Sequence, residues 1–325
     1  MLTHTRTGES AADRVVVLGG RGFISRHLQR WCARAGTACI AVGSKEVDLA
    51  DGRNAARLAA LLRAGDAVVM TSLLSPEKRR GYGALMSNLR MAETVCMALE
   101  SRPCAHFVYL SSDAVYDAHK IPLDEDSTRE PIDLYALSHT AREMILSSEM
   151  ERRGLPMCIL RLTSIYGQGD THNAYGPNRF VRSALAEGSI ELFGHGEERR
   201  SHVFVDDAVA LIGLALRRRS KGALNVAVRR GVSYARIAEI VSREVGRPVE
   251  IRYAPRTVPT VHRPYKPTQV FRYLYNLGRP IGPVVHRTFV NAAVFAAFPG
   301  FCFTPLEEGL KAFVAAERAR APAAS

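Results

Sequence analysis

The run Val15-Val16-Val17-Leu18 leads directly into Gly19-Gly20-Arg21-Gly22-Phe23-Ile24-Ser25. An apolar run, a glycine turn and an amphipathic continuation suit a strand, a tight turn and a helix. At such a junction backbone N–H groups and the positive end of the helix converge on a diphosphate. Gly19 permits the turn, Gly22 leaves room for a dinucleotide, and Phe23 and Ile24 open the helix beside it. The third position of the G-x-x-G-x-x-G pattern is Ser25, small but not glycine. Its place in the first strand–helix unit is the context that separates a dinucleotide turn from a merely structural one. After the second apolar run stands Gly43-Ser44-Lys45, where an acid commonly holds the adenosine ribose. Arg21, Ser44 and Lys45 together suit the 2′-phosphate of NADP(H), the favoured cofactor, while Glu46 leaves NAD(H) open. Asp48 and Leu49, just beyond, complete the expected cofactor set.

A second signal is electrostatic. Between positions 251 and 306 there is no Asp or Glu, yet there are Arg252, Arg256, Arg263, Lys266, Arg272, Arg279 and Arg287. This is either a plain basic surface or a field that draws in an anion such as a diphosphate. The net charge of the 325 residues is +12, but the excess is mostly arginine spread over many helix surfaces. With no aromatic-and-basic RNA motif and no zinc spacing, a nucleic-acid partner is not expected. The six cysteines, at 32, 39, 96, 104, 158 and 302, form no C-x-x-C pair. They read as reduced thiols of a cytoplasmic protein, so neither disulfides nor a metal site is expected. No apolar stretch approaches the ~20 residues of a membrane span, and the polar N-terminus is a poor signal peptide.

The elements that would position these residues follow from periodicity. Short apolar runs at 14–18, 38–42, 67–70, 106–110 and 157–162 alternate with helical stretches at 23–35, 53–63, 82–100 and 133–153. Continuous apolar strands separated by helices imply a parallel sheet covered on both faces, an α/β fold. Beyond Gly167 a loop rich in Gly, Asn and Pro opens a looser region. This organisation predicts a loose tail at 1–13, a dinucleotide-binding domain at 14–167, a mainly substrate-binding lobe at 168–318 interleaved with the end of the sheet, and a tail at 319–325. Thr304-Pro305-Leu306-Glu307 reads as an N-cap, a proline at the first helical position and a capping-box glutamate. Asp206-Asp207 reads as a helix opening, which an N-cap explains without catalysis. A short repeat, Val261-His262-Arg263 and Val285-His286-Arg287, has no assigned role.

Further segments carry a resemblance. Leu110-Ser111-Ser112-Asp113-Ala114-Val115-Tyr116 resembles the S-S-x-x-V-Y-G segment of the extended short-chain dehydrogenases/reductases. Pro131-x-x-x-Tyr135-x-x-Ser138, with Glu143 further on, is similar to their P-x-x-x-Y-x-x-S-K segment. Leu160-Arg161-Leu162-Thr163-Ser164-Ile165-Tyr166-Gly167 resembles L-R-x-x-N-V-Y-G, and Arg200-Ser201-His202-Val203-Phe204-Val205-Asp206-Asp207 resembles R-D-F-V-Y-V-D-D. These segments keep the family's order along most of the chain.

The resemblance implies a Rossmann doubly wound parallel sheet with a smaller C-terminal lobe, NAD(P) as cofactor and a nucleotide-activated sugar as substrate. It implies Tyr135 as acid/base with Ser112 as its partner at the substrate oxygen, and Asn88 as the family's helix asparagine near the cofactor. Ser164, Asn173, Arg200, Arg263 and Arg287 become the candidate substrate residues. Asp113 occupies the first place of the Asp-Glu pair that 4,6-dehydratases use. Ala114 replaces the Glu, so dehydration is disfavoured and epimerase and 4-keto-reductase remain. Two long helices, 82–100 and 133–153, correspond to the family's homodimer interface. One position departs from the pattern: where the family has a lysine that lowers the tyrosine pKa and binds the nicotinamide ribose, this chain has His139. A tyrosine with a reference pKa of about 10 needs a nearby cation to act as a base near neutrality. His139 either substitutes as that cation, leaves a slow or reduction-biased enzyme, or marks a non-catalytic dinucleotide sensor or scaffold.

Overall fold

Arg14-Val15-Val16-Val17-Leu18 offers no polar face beyond its first residue, so as a strand it must be covered on both sides. In the computed structural model, which describes residues 2–10, 12–76, 78–117, 121–170, 173, 175–255, 284 and 286–320, it is. Val15 and Val17 enter one hydrophobic cluster and Val16 and Leu18 another, as the two-residue period of a strand demands.

The main sheet contains β1 (Thr3–His4), β2 (Arg14–Leu18), β3 (Cys39–Val42), β4 (Asp66–Met70), β5 (His106–Ser112), β6 (Met157–Leu162) and β11 (Ser220–Val226). Their order is β1-β11-β6-β5-β4-β2-β3. Every pairing is parallel except β1 on β11. Helices α1 (Phe23–Arg34) and α6 (Val205–Arg217) cover one face. Helices α2 (Ala55–Leu61), α3 (Tyr82–Ser101) and α4 (Leu134–Arg152) cover the other. From β2 the chain moves outward to β3 and returns to β4 on the opposite side, so the strand order reverses there. In an open parallel sheet the crevice beyond the carboxyl ends at that reversal is where ligands bind.

A third cluster builds the smaller lobe from α5 (Pro177–Glu187), β8 (Ser189–Phe193), α7 (Tyr234–Val245), β13 (Glu250–Ala254) and α9 (Leu306–Arg320). The short strands β7 (Ser164–Tyr166) and β10 (His202–Phe204) pair in parallel, β9 (Arg199–Arg200) pairs antiparallel with β12 (Val232–Ser233), and the short α8 (Ala292–Ala297) packs into the first cluster. His27 of α1 joins the two parts, its ring contacting Asp206 at 2.9 Å and the Gln168 carbonyl at 2.9 Å.

Three expectations are corrected. Within the 1–13 segment, β1 extends the sheet edge, and the His4 ring bonds Ser220 and the Ala297 carbonyl, so this stretch is docked rather than loose. Asp206 and Asp207 do not cap their helix: α6 starts at Val205, Asp206 pairs with His27, and Asp207 accepts from Thr304 N and Oγ1. Thr304 therefore spends its hydroxyl on Asp207, and α9 begins at Leu306, one residue later than the proline pattern implies. Arg263, with the first Val261-His262-Arg263 segment, lies outside the described residues, as does the 321–325 part of the C-terminal tail.

Candidate active site

Gly19 adopts φ +98°, and a Cβ built there would lie 2.6 Å from Thr71 Oγ1 and 2.8 Å from Ser72 N. Only glycine tolerates both the conformation and the approach. Ser25 locks the turn, bonding the Gly19 carbonyl at 2.9 Å and Thr71 Oγ1 at 2.7 Å. This explains why the third motif position takes a small hydroxyl residue instead of a glycine. Gly22 is the N-cap of α1 and contributes no side-chain cap, and the first turn carries no acid. The helix N-terminus thus keeps its free N–H groups and its positive dipole end toward the cleft, which fits the diphosphate of a dinucleotide.

That cleft, of about 430 Å³, runs from Gly22, Phe23 and Ile24 past Ser112, Tyr135 and His139 to Ser164, Asn178 and His202 under the smaller lobe. Tyr135 and His139 are one helical turn apart on α4, and their rings meet edge to face with centroids 4.8 Å apart. The helix is fixed at its start by Asp133, whose Oδ1 accepts from Ala136 N at 2.7 Å. Ser112 ends β5, and its Oγ accepts from Ala114 N at 3.1 Å.

Beneath these groups lies a buried polar frame. Arg161 clasps Glu143 in two hydrogen bonds, Nε to Oε1 at 3.0 Å and Nη2 to Oε2 at 2.9 Å, and Ser111 donates to the same carboxylate at 2.6 Å. Arg161 also donates to Tyr116 Oη at 2.7 Å, which donates in turn to Asn225 Oδ1 at 2.7 Å. A bidentate buried pair of this kind orients β5, β6 and α4 relative to one another. Arg161, Glu143 and Tyr116 therefore hold the frame and do not line the cleft, whereas Ser111 does both.

His139 departs from one sequence expectation. It is fully buried, and burial above all, with Arg142 adding to it, pulls its pKa down to about 3. A neutral imidazole cannot be the cation that replaces lysine. Its Nδ1 meets Tyr109 Oη at 2.8 Å. Burial holds the Tyr109 phenol protonated, pushing its pKa well above the usual value. Tyr109 therefore donates to Nδ1, and the remaining proton sits on Nε2, which has no partner among the described residues.

Other predicted residues stand elsewhere. Asp113 does not line the cleft; its carboxylate pairs with Arg287 Nε at 2.8 Å, and its carbonyl accepts from Arg287 Nη2. Each thereby occupies the other's charge. Arg200 pairs with Glu198 at 2.6 Å, with burial opposing and Glu198 favouring its charge. Leu49 is packed in the core and Asp48 accepts from Ala50 N at 3.0 Å, so neither reaches the cleft. Asn88 is buried and holds the loop after β4, accepting from Leu74 N at 2.8 Å and donating to its carbonyl at 3.1 Å. Asn173 turns away to accept from Arg182. Ser44 and Lys45 are exposed and, like Arg21, are not among the residues lining the cleft; Arg21 pairs with Glu46 at 3.2 Å. Ser164 lines the cleft.

The sequence reading missed His202. It is buried in the cleft wall with neither ring nitrogen partnered among the described residues, and burial first, then Arg200, pulls its pKa to about 3. It falls inside a recognised segment, but at a position whose family residue is apolar.

The profile of the NAD dependent epimerase/dehydratase family matches residues 15–227. A dTDP-4-dehydro-6-deoxy-D-allose reductase from Streptomyces bikiniensis is 27% identical over 282 residues, 75% of this chain and 85% of that protein. Among solved structures, a GDP-L-fucose synthetase from Naegleria fowleri bound to NADP superposes with a TM-score of 0.77 at 15% identity, over 98% of each chain. A UDP-glucose 4-epimerase from Thermotoga maritima with UDP-glucose has a TM-score of 0.77 at 20% identity, over 94% of this chain and 99% of that one.

Proposed function

Because the chain belongs to the NAD-dependent epimerase/dehydratase family of extended short-chain dehydrogenases/reductases, we propose that it is an epimerase or 4-keto-reductase of a nucleotide-activated sugar with Tyr135 as proton donor and acceptor. One observation carries the reading: Ser112, Tyr135 and His139 line the same cleft as the glycine turn and the N-terminus of α1. A diphosphate at that turn would set the rest of a dinucleotide along the cleft toward Tyr135.

Gly19 and Gly22 would hold the dinucleotide's diphosphate, and the cofactor supplies or accepts the hydride when bound. The proton belongs to the protein. In reduction the Tyr135 hydroxyl gives it to the sugar oxygen; in oxidation the phenolate takes it back, with Ser112 bonding the same oxygen. The N–H at Nε2 of His139 is a neutral donor beside Tyr135. A protonated tyrosine suffices for reduction, so the neutral His139 weighs toward the reductase.

NADP(H) is the favoured cofactor. The Arg21–Glu46 pair has side chains about half exposed (58% and 50%). Such surface pairs are screened by water and weak, so a 2′-phosphate near Ser44 and Lys45 competes for Arg21 at little cost. The substrate diphosphate falls to Arg200, with Arg287 if it leaves Asp113. A homodimer through α3 and α4 is supported by the apolar side chains these helices expose, among them Tyr82, Met86, Met97, Met144 and Ile145.

The test is a panel of dTDP-, UDP- and GDP-linked hexoses and 4-keto-hexoses with NADPH or NADH, followed by cofactor absorbance and product stereochemistry. Turnover of one class supports the reading. Cofactor binding with no turnover across the panel replaces it with a non-catalytic dinucleotide-binding protein.

A further inference from the structure

Arg142 is the largest fully buried side chain of the molecule among the described residues. It stands on α4 three residues after His139 and seven after Tyr135, so the three share one helix face. Its guanidinium lies over the Tyr109 ring, 5.0 Å from the centroid. Nη2 donates to the Ser72 carbonyl at 2.8 Å, while Nε and Nη1 have no partner among the described residues. No carboxylate pairs with it among the described residues. Its sequence neighbour Glu143 is already engaged by Arg161, Arg129 and Ser111.

A purely structural role accounts poorly for this residue. A hydrogen bond from a charged donor and a desolvated cation–π contact each stabilise the folded protein. Burying an ion unpaired costs several kcal/mol. One carbonyl tether and one ring contact therefore roughly cancel the desolvation cost, and a neutral side chain could make the tether. What only the guanidinium supplies is a permanent positive charge, in the wall directly behind Tyr109 and His139.

We propose that Arg142 is the electrostatic positioning residue of this site: its charge, acting across Tyr109 and the neutral His139, stabilises the phenolate of Tyr135. The inference rests on Tyr135 being the acid/base. It also moves the cation from four to seven residues after that tyrosine. Burial, the largest influence, holds the Arg142 guanidinium below its ordinary pKa, and interaction with Tyr109 and Tyr135 works against that lowering. The tether gives it a second effect. Ser72 N is one of the atoms packed against Gly19, so Arg142 ties α4 to the cofactor turn. The other titratable groups facing this spot are Tyr109 on β5, His139 and Glu143 on α4, and Lys78, Asp170 and His202 around the cleft.

The test needs no substrate. Tyrosinate absorbance near 295 nm is titrated in the whole protein, and the Tyr135→Phe curve is subtracted to isolate Tyr135. Arg142→Gln should raise the Tyr135 titration by about one pH unit or more, the lower end of what a nearby opposite charge gives. Arg142→Lys should restore most of it. His139→Ala should leave it nearly in place. Should Arg142→Gln fail to fold, the His139→Ala arm decides: a rise of a full unit there assigns the charge to His139 and overturns the inference. So does a folded Arg142→Gln protein with an unmoved titration. Loss of turnover in Tyr135→Phe is scored separately, so the catalytic assignment and this inference can fail independently.

Discussion

Lowering the pH from 7 to 5 should destabilise this protein well before its carboxylates protonate. Burial holds His106 down to about 4, and His139 and His202 to about 3. In the unfolded chain a histidine titrates near about 6.5. Between these values the unfolded state binds protons that the folded state refuses, so stability rises with pH and falls as acid is added. Each histidine loses up to about 1.4 kcal/mol per pH unit, which integrates to about 2 kcal/mol over the window and about 5–6 for the three. Against a typical total of about 5–15 kcal/mol, that is a large share. Burial raises the Glu125 and Asp207 carboxyls, which take up protons more readily when folded and so offset part of the loss toward the acid end. The assay is the urea midpoint at pH 7, 6 and 5 at constant ionic strength. His106→Gln, which preserves a donor for the Ser220 carbonyl far from the cleft, should remove about a third of the pH dependence. A midpoint that stays flat from pH 7 to 5 would show that these imidazoles charge freely in the folded protein.

Gly19→Ala places a methyl group against Ser72 N at positive φ. It should cost on the order of 2 kcal/mol or more and weaken dinucleotide binding at least tenfold; a melting temperature and cofactor affinity equal to wild type would refute the cradle. Lys45→Asp should erase or reverse a preference for NADPH over NADH in fluorescence titrations, and a wild-type protein binding NADH at least as tightly removes the 2′-phosphate assignment. Met144→Glu, at a side chain 62% exposed on α4, should convert a dimer to a monomer in light scattering. A wild-type monomer at micromolar concentration contradicts the α3–α4 interface.

What the sequence disclosed was whatever depends on neighbours along the chain. The glycine turn, the apolar strands around it and the Tyr135–His139 spacing are local patterns, and each appears at the expected place in the fold. What it hid depends on pairs far apart. Asp113 meets Arg287, and Asn88 meets Leu74, through topology that no periodicity encodes. His139 looked like a cation because its type titrates near neutrality; only its depth makes it neutral. Arg142 was invisible for the converse reason, since an arginine next to a glutamate on a helix reads as a solvated charge. The N-terminal segment escaped notice because a two-residue strand is too short to show alternation.

The most direct test of the catalytic assignment is Tyr135→Phe, assayed for turnover on whichever nucleotide sugar the panel identifies and for cofactor affinity in parallel. The change removes one hydroxyl from the cleft and leaves the ring against His139. The prediction is a fall in rate of about 10²–10⁴-fold, the usual contribution of a general acid/base, with cofactor affinity nearly unchanged. Turnover at the wild-type rate in the Tyr135→Phe protein would contradict the account at its centre.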